Sequence, residues 1–285
     1  MGIKQLHKLL RPMAQTRYQI DRSWSGKRVG VDAMCWMHRG AVACAYELLL
    51  GKETDKFVRF FMDMVFMLLW NGIIPIIIFD GQDLPAKQEE ASKRRQEREE
   101  ARDKVLDASR KLGDGRAALD INVQKNATKA IKISVEMIER ILAALRELNI
   151  EFMVAPYESD AQLAYLCRIG YLHAVISEDS DLFVYGCPRV LCKVDKHGEG
   201  ELFELESIVG VGNKREVPEL IQKSVDTVLD AGSAVSAEYS SLQEEGIVEG
   251  VLDGTWTKPS GEIVLAEENE GMSGDADAAL GGGRR

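Results

Sequence analysis

Three apolar runs in this chain each close on acid: KRVGVD on Asp32, IIPIIIFD on Asp80, and AVISEDSD on Glu178, Asp179 and Asp181. Short continuous runs of aliphatic residues mark strands covered on both faces, as in a parallel sheet. EFMV, RVLCKV and ELFEL read as further strands. Between the runs, apolar residues recur at helical spacing. This predicts helices over 33–49, over 55–70 with Asn71-Gly72 as a stop, over the highly charged 86–112, over 128–148 with a stripe from Ile131 through Leu145, and over 159–169. Residues 113–126 carry Gly113, Gly115 and Asn122 and read as a break. Strands alternating with helices predict an α/β fold with a mainly parallel central sheet flanked by helices. In such sheets ligands collect outside the carboxyl ends of the strands, where all three acidic stops lie.

Acids crowded beside a buried strand repel one another unless cations hold them. The segment APYESDAQLAYL adds Glu158 and Asp160 at the start of a helix. Taken alone these two suit helix capping, with Ser159 and Gln162 spaced as a capping box and acids favoured in the first turn. A single strand-end Asp is likewise usually a cap or turn residue. The pattern gains meaning as a set: Asp32, Asp80, Glu158, Asp160, Asp179 and Asp181 offer hard oxygen ligands that suit magnesium or manganese. Two such ions about 3.5–4 Å apart generate hydroxide and stabilise a departing oxygen, which is how phosphodiesters are cut without a protein nucleophile.

The charged helix points to the same substrate. At 100° per residue, Lys87, Arg94, Arg95, Arg98 and Arg102 fall within a sector of about 100°, and the glutamates occupy the remainder. Taken in isolation, an exposed helix held by Glu-to-Arg pairs one turn apart, such as Glu90 with Arg94, is the better explanation of this composition. Its place directly after Asp80 favours a phosphate clamp. The net charge of −10 does not oppose an anionic partner, because residues 211–285 hold 6 Lys and Arg against 15 Asp and Glu, leaving −1 for residues 1–210. Several chemistries lack their signatures. There is no G-x-S-x-G, no G-x-x-x-x-G-K and no H-E-x-x-H, and the five cysteines form no C-x-x-C pair, so reduced thiols are expected. No apolar run approaches membrane-spanning length and MGIKQLHKLL is too short for a signal peptide, so a soluble intracellular protein is expected.

MGI, VGVDAMCWMHRGA, IIIFDG followed by LPAK, VAPYESDAQLAYL and ISEDSDLFVYG occur here in order. With this spacing the chain resembles the XPG, or flap endonuclease, family over about residues 1–208, and WMHRGA and YGCPRVLCKVD resemble its exonuclease 1 branch. The resemblance implies a PIN-like 5′-nuclease fold with a helical arch over the active site. It implies a two-metal 5′ to 3′ exonuclease or 5′ flap endonuclease acting on double-stranded DNA with nicks, recessed 5′ ends or 5′ flaps, in repair and recombination in the nucleus, with Mg2+ as cofactor and Mn2+ as substitute. Carried across, Asp32 and Asp80 bind the first metal, Glu158 and Asp160 support and bridge, and Asp179 and Asp181 bind the second. Lys87 and Arg94 grip the scissile phosphate, and Gly2, His38, Arg95 and Arg98 meet the DNA. Met34 stands where the branch usually has a stacking aromatic, and Glu97 takes a usually basic place beside Arg98.

The family pattern continues through a G-C-D-Y segment, whose Asp is a further ligand of the second metal, into a helix-two-turn-helix that grips the duplex. Neither is present here, and GVGNKREVPELI at 210–221 is read as a chance likeness interrupted by Pro218. The expected organisation is a nuclease domain at 1–209, incomplete at its C-terminal end, and an acidic, Gly-rich tail at 210–285 expected to be disordered. Two other readings compete: a truncated, catalytically weak or inactive DNA-binding remnant, and a small-molecule phosphatase with no salt-sensitive DNA affinity.

Overall fold

The computed structural model describes residues 6–81 and 88–208, and two short strands further on at 255–257 and 263–265. In chain order the first elements are α1 (Leu6–Leu10), β1 (Gln15–Gln19), β2 (Arg28–Asp32), α2 (Ala33–Val42), α3 (Ala45–Leu49), α4 (Lys56–Trp70) and β3 (Ile74–Phe79). Four helices follow: α5 (Gln88–Leu112), α6 (Asp114–Ala117), α7 (Ile121–Ala130) and α8 (Val135–Glu147). The remainder is β4 (Phe152–Val154), α9 (Ser159–Arg168), β5 (Ala174–Ile176), α10 (Asp181–Val184), β6 (Arg189–Cys192), β7 (Glu199–Glu204) and α11 (Leu205–Ile208), and then β8 (Thr255–Thr257) and β9 (Ile263–Leu265).

Seven strands form one sheet in the order β1-β7-β6-β5-β2-β3-β4. β2 to β6 run parallel, whereas β7 pairs antiparallel with β6 and β1 antiparallel with β7. The apolar runs explain the burial. Alternate side chains go to opposite faces: Val29, Val31, Ile77, Phe79, Ala174 and Ile176 pack into a core with Trp36, Phe61 and Ile141. Ile76, Ile78, Val175 and Val190 face a second core with Leu10, Leu163 and Leu182. Gly30 marks a close approach, since a Cβ there would lie 2.6 Å from both Leu163 Cδ2 and Leu172 Cδ1. Its absence lets α9 and the loop after it lie flat on β2.

The helices differ from expectation in three places. The predicted helix at 33–49 is two, because Cys44 leaves helical geometry at φ −128, ψ 23 and starts α3 afresh. The predicted break at 113–126 contains α6 and most of α7, whose start is capped by the Asp120 carboxylate accepting from the N–H of Asn122 and Val123. The predicted helix at 128–148 is also two. Ile131 is extended at ψ 130, and Ser134 caps α8 by accepting from Met137 N–H at 3.3 Å. Apolar periodicity ran across this junction because both helices bury the same side against one core. Edge strand β1 was not predicted, since QTRYQ alternates without an apolar face and is mostly exposed. The region at 210–285 lies outside the described residues except for β8 and β9, which pair antiparallel. No helix among the described residues is long and apolar enough to cross a membrane.

Candidate active site

Parallel register sets the acids side by side. Val31 of β2 lies opposite Ile176 of β5, so Asp32 and Ser177 are neighbours at the carboxyl end. Ser177 Oγ donates to Asp32 Oδ2 at 2.7 Å and accepts from Asp179 N–H at 3.0 Å. Asp32 Oδ1 also accepts from Cys35 N–H at 3.1 Å, capping α2. Asp179 Oδ1 in turn accepts from Asp181 N–H at 3.0 Å. One hydroxyl thus orients the acidic stops of two strands.

Asp80 follows β3 and is held by the start of α9: its Oδ1 accepts from Ser159 N–H at 2.9 Å and Ser159 Oγ at 2.7 Å. The Ser159 hydroxyl therefore serves Asp80 rather than a capping box, and Glu158 occupies the N-cap position with no side-chain cap bond. Gly81 brings the chains together. Its N–H donates to Tyr157 O at 2.6 Å, and a Cβ would overlap the Ala155 carbonyl oxygen and lie 2.7 Å from that of Pro156. Both obstacles are backbone. Gly81→Ala is expected to cost about 2–4 kcal/mol of stability by forcing the strand-end loops apart, read by thermal melting, and to weaken divalent-ion binding through displacement of Asp80.

Five of the acids share one electrostatic environment. Burial raises the Asp160 carboxyl well above its usual range, and Asp32, Asp179, Asp80 and Asp181 all push in the same direction. Asp160 Oδ1 is buried without a hydrogen-bond partner. Burial likewise pushes Asp32 up to about 6, reinforced by Asp80 and Asp179 and opposed by its bonds from Ser177 and Cys35. Such an orphaned, mutually repelling set of carboxylate oxygens has the donor chemistry of a hard divalent cation site. As the side chains stand, no three His, Cys, Asp or Glu among the described residues are close enough together to enclose an ion.

The basic side lies next to His38. A cleft of about 510 Å3 is lined by His38 of α2, by Arg94, Arg98 and Lys104 of α5, and by Lys129 of α7, with Glu97 and Glu100 also on its wall. Burial lowers the His38 pKa, Arg98 lowers it further, and Asp80 opposes, so this cleft-lining ring feels both the basic helix and one of the acids. Helix α5 is docked through its second half, where Ala101 and Val105 are buried. That apolar stripe continues the line of Arg94 and Arg98, which puts these two on the cleft wall, Arg98 half-buried and Arg94 exposed. Arg95 is 78% exposed and pairs with Glu99 at 3.1 Å, away from the cleft. Gly2 and Lys87 lie outside the described residues. Sequence reasoning missed Ser177 and Ser159, whose only signal is that each flanks an acid already suspected. It also missed Lys104 and Lys129, which no local pattern connects.

Comparison with known proteins settles the ancestry. The XPG N-terminal domain matches residues 1–101 and the XPG I-region matches residues 149–235. The chain belongs to the XPG family. The XPG N-terminal match contains Asp32 and Asp80, and the I-region match contains Glu158, Asp160, Asp179 and Asp181. The segment from Arg102 to Leu148, with the docked half of α5, falls between them. Exonuclease 1 of Xenopus laevis is 38% identical over 202 residues, covering 70% of this chain and 26% of the relative. Exodeoxyribonuclease 1 of Schizosaccharomyces pombe is 39% identical over 198 residues, covering 70% of this chain and 33% of the relative. The XPG chain thus spans between a quarter and a third of the length of these relatives. Among solved structures, the catalytic core of Rad2 in complex with DNA substrate has a similar fold, with a TM-score of 0.53 at 20% identity over 74% of this chain and 55% of that one.

Proposed function

We propose that this chain is a divalent-metal-dependent 5′ to 3′ nuclease acting on double-stranded DNA at nicks, recessed 5′ ends or 5′ flaps, in repair and recombination in the nucleus. The observation that carries the reading is the meeting of Asp32, Asp80, Asp160, Asp179 and Asp181 in one field at the carboxyl end of the parallel strands. With Glu158 at the same helix start, these residues would hold two Mg2+ ions, or Mn2+ in their place. Such a pair supplies a hydroxide nucleophile at neutral pH and stabilises the leaving oxygen. The protein's own part is positioning. Ser177 and Ser159 fix the rotamers of Asp32 and Asp80, so that the acids are aimed before any cation arrives. Arg94 and Arg98 neutralise the phosphates of the strand being cut, and the neutral His38 ring meets the nucleic acid without adding charge beside the acids. Gly2 and Lys87 complete the assignments carried over from the family likeness, and Arg95, paired with Glu99 away from the cleft, is not among them.

The decisive experiment incubates the purified chain with end-labelled nicked duplex and 5′ flap substrates, with Mg2+ and with chelator. Magnesium-dependent release of nucleotides or flaps, lost in Asp179→Ala by at least about a hundredfold, is the expected result. The alternative is a DNA-binding remnant that does not cut. Salt-sensitive DNA binding with no Mg2+-dependent product would establish that alternative.

A further inference from the structure

Glu178 is the one acid of the SEDSD segment that turns away from the others. Its Oε1 accepts from Lys193 N–H at 2.7 Å and lies 3.6 Å from Arg39 Nη1. Arg39 is itself fixed, donating to Val194 O at 2.8 Å and lying over the Phe60 ring at 5.6 Å. Lys193 carries a positive φ of 55, a conformation costly for a residue with a side chain and sustained only where its surroundings enforce it. The backbone N–H of Glu178 meets the Cys35 thiol, and Cys35 N–H holds Asp32. The residue therefore ties the loop after β5 to the end of β6 on one side and to the first turn of α2 on the other. Two residues on either side of that tie, Ser177 and Asp179, face the acid cluster.

We infer that Glu178 is a positioning residue, whose anchorage to Lys193 N–H and Arg39 aims Asp179 and Asp181 at the metal site. The inference rests on the proposed function, because it assigns Glu178 a task in building that site. Reach matters more than charge in this geometry: the short bond is to a backbone N–H, which a glutamine oxygen can also accept, whereas the arginine is farther and half exposed. Removing an anchor that orients metal ligands typically weakens metal binding by about 10–100-fold.

The test is Mn2+ binding to the full chain, by titration calorimetry or by loss of the free-ion paramagnetic resonance signal, with thermal melting in chelator to compare folding. Glu178→Gln keeps the reach and is expected to bind Mn2+ within about threefold of the parent. Glu178→Asp keeps the charge but is too short for Lys193 N–H, and is expected to bind about tenfold or more weakly. Both changes are small enough to preserve the fold, and Glu178→Ala should follow the Asp variant. Parental Mn2+ affinity in Glu178→Asp, or loss in Glu178→Gln with retention in Glu178→Asp, overturns the inference. Asp179→Ala separates this from the wider reading. Mn2+ binding lost in that variant but parental in Glu178→Asp rejects only the positioning role, and binding unaffected in both rejects the metal site as well.

Discussion

Asp160→Asn is expected to abolish nucleolytic cleavage while raising the melting temperature of the metal-free protein. The two effects share one cause. Asp160 is buried among Asp32, Asp179, Asp80 and Asp181 with one oxygen unpartnered, so without a cation its charge is opposed from every direction. An amide of the same shape removes the repulsion, and a gain of about 2 kcal/mol, or roughly 4–8 °C for a chain of this size, is expected in chelator at pH 7. Mg2+ should reverse the ranking, stabilising the parent but not the variant. Cleavage should fall by at least about a hundredfold. Equal melting temperatures in chelator would contradict the electrostatic account, and undiminished cleavage would remove Asp160 from the site.

The same environment gives a pH signature. Folded Asp32 keeps its proton up to about 6, whereas its ordinary value is 3.8. Between those values the folded state binds more protons than the unfolded one, so the Asp32 contribution to stability in chelator falls as pH rises from about 4 to 6. Subtracting the profile of Asp32→Asn separates the contribution of Asp32 and the Asp160 carboxyl it pushes up from that of Glu201 and Asp114, whose lowered carboxyls act in the opposite sense at lower pH.

Arg94→Ala with Arg98→Ala is expected to weaken DNA binding at moderate salt by about tenfold or more and to flatten the salt dependence. Each phosphate contact contributes about 0.9 to the slope of log affinity against log salt, so the double variant should lose close to 2. Arg95→Ala is the internal control. It lies on the same basic sector by sequence, but its side chain is turned to solvent and paired with Glu99, so its loss should change the slope by less than half a contact. Equal effects from all three arginines would mean that the strand tracks the outer face of α5 rather than the cleft beside His38.

The amino-acid sequence alone determined the parallel strands of the sheet and the neighbourhood of the acids. Runs such as IIPIIIF are apolar on both faces of the pleat and have to be covered on both, and acids that follow such strands in a parallel sheet share its carboxyl end. Those relations are local periodicities, readable a few residues at a time. Tertiary structure alone decided which acids face one another and what holds them. Ser177 meets Asp32 across 145 residues and Ser159 meets Asp80 across 79, so neither partner leaves a trace in the local pattern. Glu178 and Asp179 are adjacent in sequence yet turn to opposite sides, and Arg94 and Arg95 are separated into cleft and solvent by the packing of Ala101 and Val105. A charged side chain costs little to place anywhere on a solvated surface, so its direction is set by the apolar contacts of the element that carries it and by the few buried donors within its reach.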